Sequence, residues 1–300
     1  MLEAVRQFFK ERHVVEVDCP FLTASAAVDA HIDLITACVN DQEQRYLHSS
    51  PEYGMKRLLA AGSEDIYQLS HVFRNNERGT RHTPEFMMAE WYRKSISFGE
   101  MIAETCDFIR LFVGDVPYHI LSYQQAFQHY THLDISKTSN EELLALLSSY
   151  DIVTHLTSKA SDRDALLNTI LGCLIEPRLG QQGLCVLTYY PASQATLAKT
   201  TILNGEEVAE RFEVYYQGME LANGYHELSD SQEQRHRFLK ANHQRIMMGK
   251  EKLPIDEKFL EALDHLPDCC GVAVGFDRLM MLRHDVRNID QVIPFSWEEI

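Results

Sequence analysis

Two apolar runs, 65–74 (DIYQLSHVFR) and 85–94 (EFMMAEWYRK), flank a loop at 75–83 in which almost every residue is polar. Both runs read as strands. A connection this short joins antiparallel neighbours and leaves no length for a crossover helix. This strand–loop–strand unit restricts the fold more than any other feature of the chain, because it demands an antiparallel sheet at the centre.

The unit also concentrates chemistry, in the stretch FRNNERGTRHTPEFMMAEWY at 73–92. Arg74 ends the first strand, and its planar guanidinium suits two-point contact with a phosphate. Arg81 and His82, across the loop, are placed to reach outer phosphates. Phe86 lies just past the loop and can stack on a purine, an interaction of roughly 1–3 kcal/mol by analogy with base stacking. Taken alone, the stretch also describes an exposed charged hairpin with a core phenylalanine.

Around this unit the periodicity predicts an opening helix at 2–12, a short strand at 14–20 stopped by Pro20, and an alternating segment within 28–39. A helix from Glu52 to Ala61 stops at Gly62. Another runs over 97–112, with Ser97 as cap and Glu100 as its capping-box partner. Residues 113–183 read as a helical insertion, carrying amphipathic runs at 142–150 and 164–175. Strands resume at 184–190, followed by a hairpin pair at 206–216 and 219–228 turned at Gln217-Gly218. Helices at 230–249 and 256–264 precede a Gly-bounded strand that enters a final helix at 270–282. Hairpin-linked strands with helices between and after them predict an α+β fold, an antiparallel sheet flanked by helices. No G-x-G-x-x-G or G-x-x-x-x-G-K-[ST] occurs, which argues against a Rossmann or P-loop nucleotide site.

Three further constellations add to the loop. In GVAVGFDR (271–278) the glycines permit close approach of a ligand, and Arg278 falls in the first turn of a helix. A cation is disfavoured at that end unless an anion sits beside it. Pairing of Arg278 with Asp277 or a glutamate is the plainer alternative. Glu213, Glu220 and Glu227 recur every seven residues on strands, and two or three carboxylates near a polyphosphate suit Mg²⁺. They also fit solvated strand faces. Ser50-Pro51-Glu52 opens a helix, where the carboxylate suits a ligand ammonium or merely complements the helix dipole.

Composition sets bounds on this reading. The chain has 300 residues, enough for a large core, and a net charge of −16. That charge weighs against a long nucleic-acid partner such as tRNA, and not against ATP held in a pocket by a few arginines. No apolar run is long enough for a membrane span, and the N-terminus lacks the pattern of a signal peptide, so a cytoplasmic protein is expected. The seven cysteines show no C-x-x-C pair and read as reduced thiols. Among 14 histidines no metal-ligand spacing appears; His129 and His132 are the nearest approach to one.

In order along the chain, the opening helix through Pro20, the stretch 73–92 and GVAVGFDR resemble the three signature motifs of class II aminoacyl-tRNA synthetases. With ELANGYHEL (220–228) and the SPE tripeptide, the likeness is to the lysyl branch and covers nearly the whole chain. It implies one class II catalytic domain over 1–300, with 113–183 inserted in it. Ordinary lysyl-tRNA synthetases carry an N-terminal anticodon-reading domain, whereas here the motif 1 helix comes first. Ala273 stands where they usually have glycine. Both features resemble the short paralogues that attach (R)-β-lysine to a lysine of elongation factor P.

The resemblance implies catalytic roles for Arg74 and Arg278 and an ATP site built with Asn75, Asn76, His82, Thr83, Phe86, Glu220, Leu221 and Gly275. It places Ser50, Pro51, Glu52, Tyr92, Asn223, Glu227 and Ala273 around a lysine or β-lysine. It further implies Mg²⁺ on the glutamates, elongation factor P as acceptor in place of tRNA, and a homodimer formed through motif 1. Asn76 and Thr83 depart from the family, which usually has glutamate and asparagine there.

Overall fold

The computed structural model describes residues 1–25, 27–159 and 162–299. The chain divides into two compact units, Met1–Gly114 with Gly224–Ile300, and Asp115–Asn223.

The first unit opens with α1 (Leu2–Glu11), which buries Val5, Phe8 and Phe9. Phe9 stacks on Tyr67 at 4.0 Å, and this aromatic packing fixes the helix against the sheet. There follow β1 (Val15–Glu16), β2 (Leu22–Thr23), β3 (Thr36–Val39), β4 (Glu43–Leu47), α2 (Glu52–Ala60), β5 (Ile66–Phe73), β6 (Glu85–Lys94) and α3 (Phe98–Val113). β5 and β6 form the predicted antiparallel pair, in register from Ile66 opposite Tyr92 to Phe73 opposite Glu85. β1 joins β5 in parallel, a pairing that hairpin logic did not anticipate. β2, β4 and β3 make a separate small sheet. Ser97 caps α3 as expected: its Oγ accepts from Glu100 N at 3.2 Å, and the Glu100 carboxylate accepts from Ser97 N at 2.9 Å.

The second unit holds β7 (Tyr118–Ser122), α4 (Tyr123–Thr131), α5 (Asn140–Ser149), α6 (Arg163–Ile170), β8 (Leu184–Pro191), β9 (Thr200–Leu203), β10 (Glu206–Tyr216) and the start of β11 (Met219–His226). β7 corrects the reading of 113–183 as helical. It pairs in parallel with β8, from Tyr118 opposite Leu184 to Ser122 opposite Thr188. Five residues without clear alternation carry no strand signal of their own, and the long-range pairing decides their state. The amphipathic run after α6 continues as a π-helical turn, Leu171–Ile175. Gln217 and Gly218 turn the next hairpin with φ of 52° and 68°, the left-handed pair that a tight hairpin needs.

The chain returns to the first unit through α7 (Ser231–Met247), α8 (Glu257–Leu263), β12 (Cys269–Gly275) and α9 (Phe276–Arg283). Tyr53 of α2 stacks on Phe259 of α8 at 3.9 Å. β12 lies antiparallel to β6, with Gly271 opposite Tyr92, Ala273 opposite Glu90 and Gly275 opposite Met88. Among the described residues no helix is long and apolar enough to cross a membrane.

Candidate active site

The pairing of β6 with β12 explains the alternation in GVAVG. Directly opposite residues of an antiparallel pair point to the same face. Gly271, Ala273 and Gly275 therefore share a face with Tyr92, Glu90 and Met88, while Val272 and Val274 turn into the core. The floor is open at Gly275 and filled at Gly271, and by period two Phe86, Glu90 and Tyr92 stand along it. Phe86 and Glu90, four residues apart, are separated by about 14 Å along the strand.

At the Tyr92 end lies an acidic pocket. Ser50 Oγ accepts from Glu52 N at 3.0 Å and donates to Glu90 at 2.6 Å. Tyr92 Oη donates to the other Glu90 oxygen at 2.7 Å. Pro51 turns the chain into α2, so Glu52 sits in its first turn and Lys56 one turn on. The Lys56 ammonium, only 1% exposed, lies 2.6 Å from Glu52 and 2.6 Å from Glu227. Gly271 closes the back: a Cβ there would stand 2.3 Å from the Tyr92 ring and 2.4 Å from a Glu227 oxygen. Glycine is required at this position by lack of space.

Burial pushes the Glu90 carboxyl up to about 7, with the charge of Glu52 adding to the rise and the bonds from Ser50 and Tyr92 opposing it. Burial alone would lower Lys56, but Glu227 and Glu52 outweigh it and hold the ammonium charged. Burial also keeps the Tyr92 hydroxyl protonated, as a donor to Glu90 requires.

At the Phe86 end lies a cationic clamp. The Arg74 guanidinium sits 5.1 Å from the Phe86 ring centroid. Its Nε is buried and has no hydrogen-bond partner among the described residues. Arg278, in the first turn of α9, brings a guanidinium nitrogen within 2.5 Å of His82 Nε2. Partial desolvation and the charges of Arg278, Arg74 and Arg81 push His82 down to about 4, so its ring is neutral at pH 7. The neighbouring Asp277 carboxylate accepts from Met87 N at 2.8 Å. Gly275 is not demanded by the protein itself, since a Cβ there would meet nothing nearer than Arg278 at 3.6 Å.

The loop between the strands is moored at several points. Asn75 N donates to Asp33 O at 2.8 Å, and Ile289 N donates to Thr80 O at 2.9 Å. Asn76 has φ of 62°, a left-handed conformation that asparagine tolerates better than most residues, and its amide reaches Asp33 at 3.5 Å. Asp33 in turn pairs with Lys250 at 3.0 Å and Arg245 at 3.4 Å. Arg78 pairs with Glu298. Thr83 is buried beside Pro84.

Four of the sequence-derived site residues belong to the second unit. Leu221 is buried and Glu220 is half-buried on β11, and Asn223 Oδ1 has no hydrogen-bond partner among the described residues. Glu213 accepts hydrogen bonds from Tyr190 at 2.5 Å and from Tyr215, and pairs with Arg211. Of the three expected metal ligands, Glu213 and Glu220 lie in this unit and Glu227 lies in the first. Glu213 is committed to two tyrosines and an arginine, and Glu227 to Lys56. No group of three or more His, Cys, Asp or Glu side chains suited to a metal exists among the described residues.

Sequence reasoning overlooked Lys56, Glu90 and the packing role of Gly271. Lys56 carried a signal, one helical turn from Glu52, and Glu90 another, at period two from Tyr92. Neither signal distinguishes a site from an ordinary helix or strand face without the partners from elsewhere in the chain.

The cationic clamp and the acidic pocket thus lie at the two ends of β6, along its antiparallel pairing with β12. The chain matches the family of tRNA synthetases class II (D, K and N) over residues 1–299, and it belongs to that family. Among curated proteins it is 42% identical to a Haemophilus influenzae protein named elongation factor P–(R)-beta-lysine ligase, over 302 residues. The alignment covers 99% of this chain and 92% of the relative. Proteins of the same name from Avibacterium paragallinarum and Edwardsiella ictaluri are each 41% identical over 99% of this chain, and 93% and 92% of their own lengths are covered.

Proposed function

We propose that this chain is an ATP-dependent ligase that activates (R)-β-lysine, or lysine, as an acyl-adenylate and transfers it to a lysine side chain of elongation factor P. The relatives' shared name supports the acceptor. The observation that carries the reading is the pocket itself: Glu52 and Glu227 pair with the buried Lys56 ammonium, and Glu90 beside them stands on the strand that also carries Phe86. Burial raises both Glu90 and Glu227 in the empty site, and an occupant's amines would favour their ionised forms; three ionised carboxylates less one ammonium then leave two negative charges, matching an amino acid with two amines.

In the first step the substrate carboxylate attacks the α-phosphorus of ATP, and the bond to pyrophosphate breaks. Arg74 and Arg278 balance charge developing on the phosphates, with neutral His82 as an adaptable hydrogen-bond partner, while Phe86 stacks on adenine. In the second step the acceptor's amine attacks the acyl carbon and AMP leaves. The substrate amines rest on Glu52, Glu90 and Glu227, with Ser50 and Tyr92 orienting Glu90. We assign Asn75, Asn76, Thr83, Glu220, Leu221 and Gly275 to the nucleotide side and Pro51, Asn223 and Ala273 to the amino-acid side. Positioning supplies most of the rate. Mg²⁺ is the ordinary companion of ATP; the glutamates expected to hold it are Glu213, Glu220 and Glu227, where it would offset charge on the leaving pyrophosphate.

An acceptor in translation supports a cytoplasmic location. We assign the exposed Leu2 and Val15 of the motif 1 region to a homodimer contact, which a monomeric mass in light scattering would refute. Pyrophosphate exchange with a panel of amino acids, followed by transfer to purified elongation factor P or to tRNA, tests the whole reading. Exchange stimulated by β-lysine and labelling of the protein is the expected result. Labelling of tRNA alone would overturn it.

A further inference from the structure

A pocket that binds a substrate ammonium gains nothing obvious from an ammonium of its own. Lys56 is nonetheless buried at its centre, its ammonium within 2.6 Å of both Glu52 and Glu227. The first contact is local, one turn along α2, and the second reaches 171 positions along the chain to the end of β11's return. The remaining acid, Glu90, is held by Ser50 and Tyr92 and has no cation within ion-pair distance among the described residues.

We propose that Lys56 is a positioning residue that sets the charge specificity of this pocket, fixing Glu52 and Glu227 as a shared pair and leaving room for two positive charges from the occupant. The proposal deepens the ligase reading and takes from it only the identity of the occupant. Its physical basis is the cost of like charges in a dry site. Without Lys56 three carboxylates face one another, and they escape repulsion by taking up protons, which weakens their grip on an ammonium. With Lys56 in place an occupant bearing two ammonium groups neutralises the cluster. An occupant bearing one leaves a buried carboxylate without a partner.

Binding without ATP tests this, because it reads the pocket and not turnover. Calorimetric titration of the wild-type chain with lysine, cadaverine and norleucine is expected to show binding of the two diammonium compounds. Norleucine, with a single ammonium, is expected to bind about tenfold more weakly or worse. In Lys56→Met, lysine binding is expected to weaken by about tenfold or more, and added methylammonium, which can occupy the vacated position, restores most of it. A lysine that serves only to stabilise the fold gives no such rescue. Lysine binding unchanged in Lys56→Met, or a loss that methylammonium does not repair in a variant of native circular dichroism, would overturn the proposal. Lys56→Gln, read in the same way, decides the matter if the methionine variant does not fold. Absence of pyrophosphate exchange with this binding pattern intact would count against the ligase reading and leave the role of Lys56 standing.

Discussion

The ring of His82 and the guanidinium of Arg278 meet at 2.5 Å although 196 positions separate them in the chain. A neutral ring nitrogen can accept from an arginine, and the surrounding cations enforce that state. Removing Arg278 takes away a charge aimed at the phosphates. Arg278→Ala is expected to lower amino-acid-dependent pyrophosphate exchange by about 10²–10³-fold. In the same variant the His82 ring should titrate closer to 6.5, which proton NMR can follow.

His82 also links stability to acid. Its folded value of about 4 lies below the ordinary 6.5. Between these values the unfolded chain binds a proton that the folded chain refuses, so stability falls as pH drops through that window. Urea denaturation at several pH values should show this slope in the wild type and a shallower one in His82→Gln.

Glu90 acts with the opposite sign. Its folded value of about 7 lies above the ordinary 4.5, so the folded chain holds a proton that the unfolded chain releases. Stability therefore declines as pH rises from about 4.5 to about 7. Glu90→Gln should flatten that decline, and it should weaken binding of the amino acid because the pocket loses a carboxylate.

The two glycines of β12 separate packing from ligand contact. Gly271→Ala drives a methyl group into the Tyr92 ring and Glu227. A loss of about 1–3 kcal/mol in denaturant unfolding is expected, together with a raised KM for the amino acid. Gly275→Ala meets only ordinary contact distances. It should fold like the wild type and raise KM for ATP alone if adenine lies against that backbone.

In the second unit, Glu213 sits beneath two tyrosine hydroxyls and beside Arg211. Glu213→Ala removes the carboxylate from a buried charged pair. A destabilisation of about 3–5 kcal/mol is expected in urea denaturation.

The local grammar of this chain was readable before its structure. Ser97 and Glu100 mark a helix start through side chains three residues apart, and β5 and β6 declare their pairing through a short polar loop. The cationic clamp was visible for the same reason, since Arg74, His82 and Phe86 lie within one such unit. What stayed hidden depends on distant partners. Lys56 is an unremarked helix lysine until Glu227 arrives beside it, and Glu213 reads as a metal ligand until Tyr190 and Tyr215 claim its oxygens. β7 was missed because its five residues become a strand only against β8.

The moorings of the 75–83 loop carry a thermodynamic consequence. A free loop of this length must surrender backbone entropy when a nucleotide arrives, at about 1–2 kcal/mol for each residue that becomes fixed. Here Asp33, held by Lys250 and Arg245, and Ile289, from the far end of the chain, have already restricted Asn75, Asn76 and Thr80. That loss is settled when the protein folds, so more of the favourable contact with ATP survives as affinity.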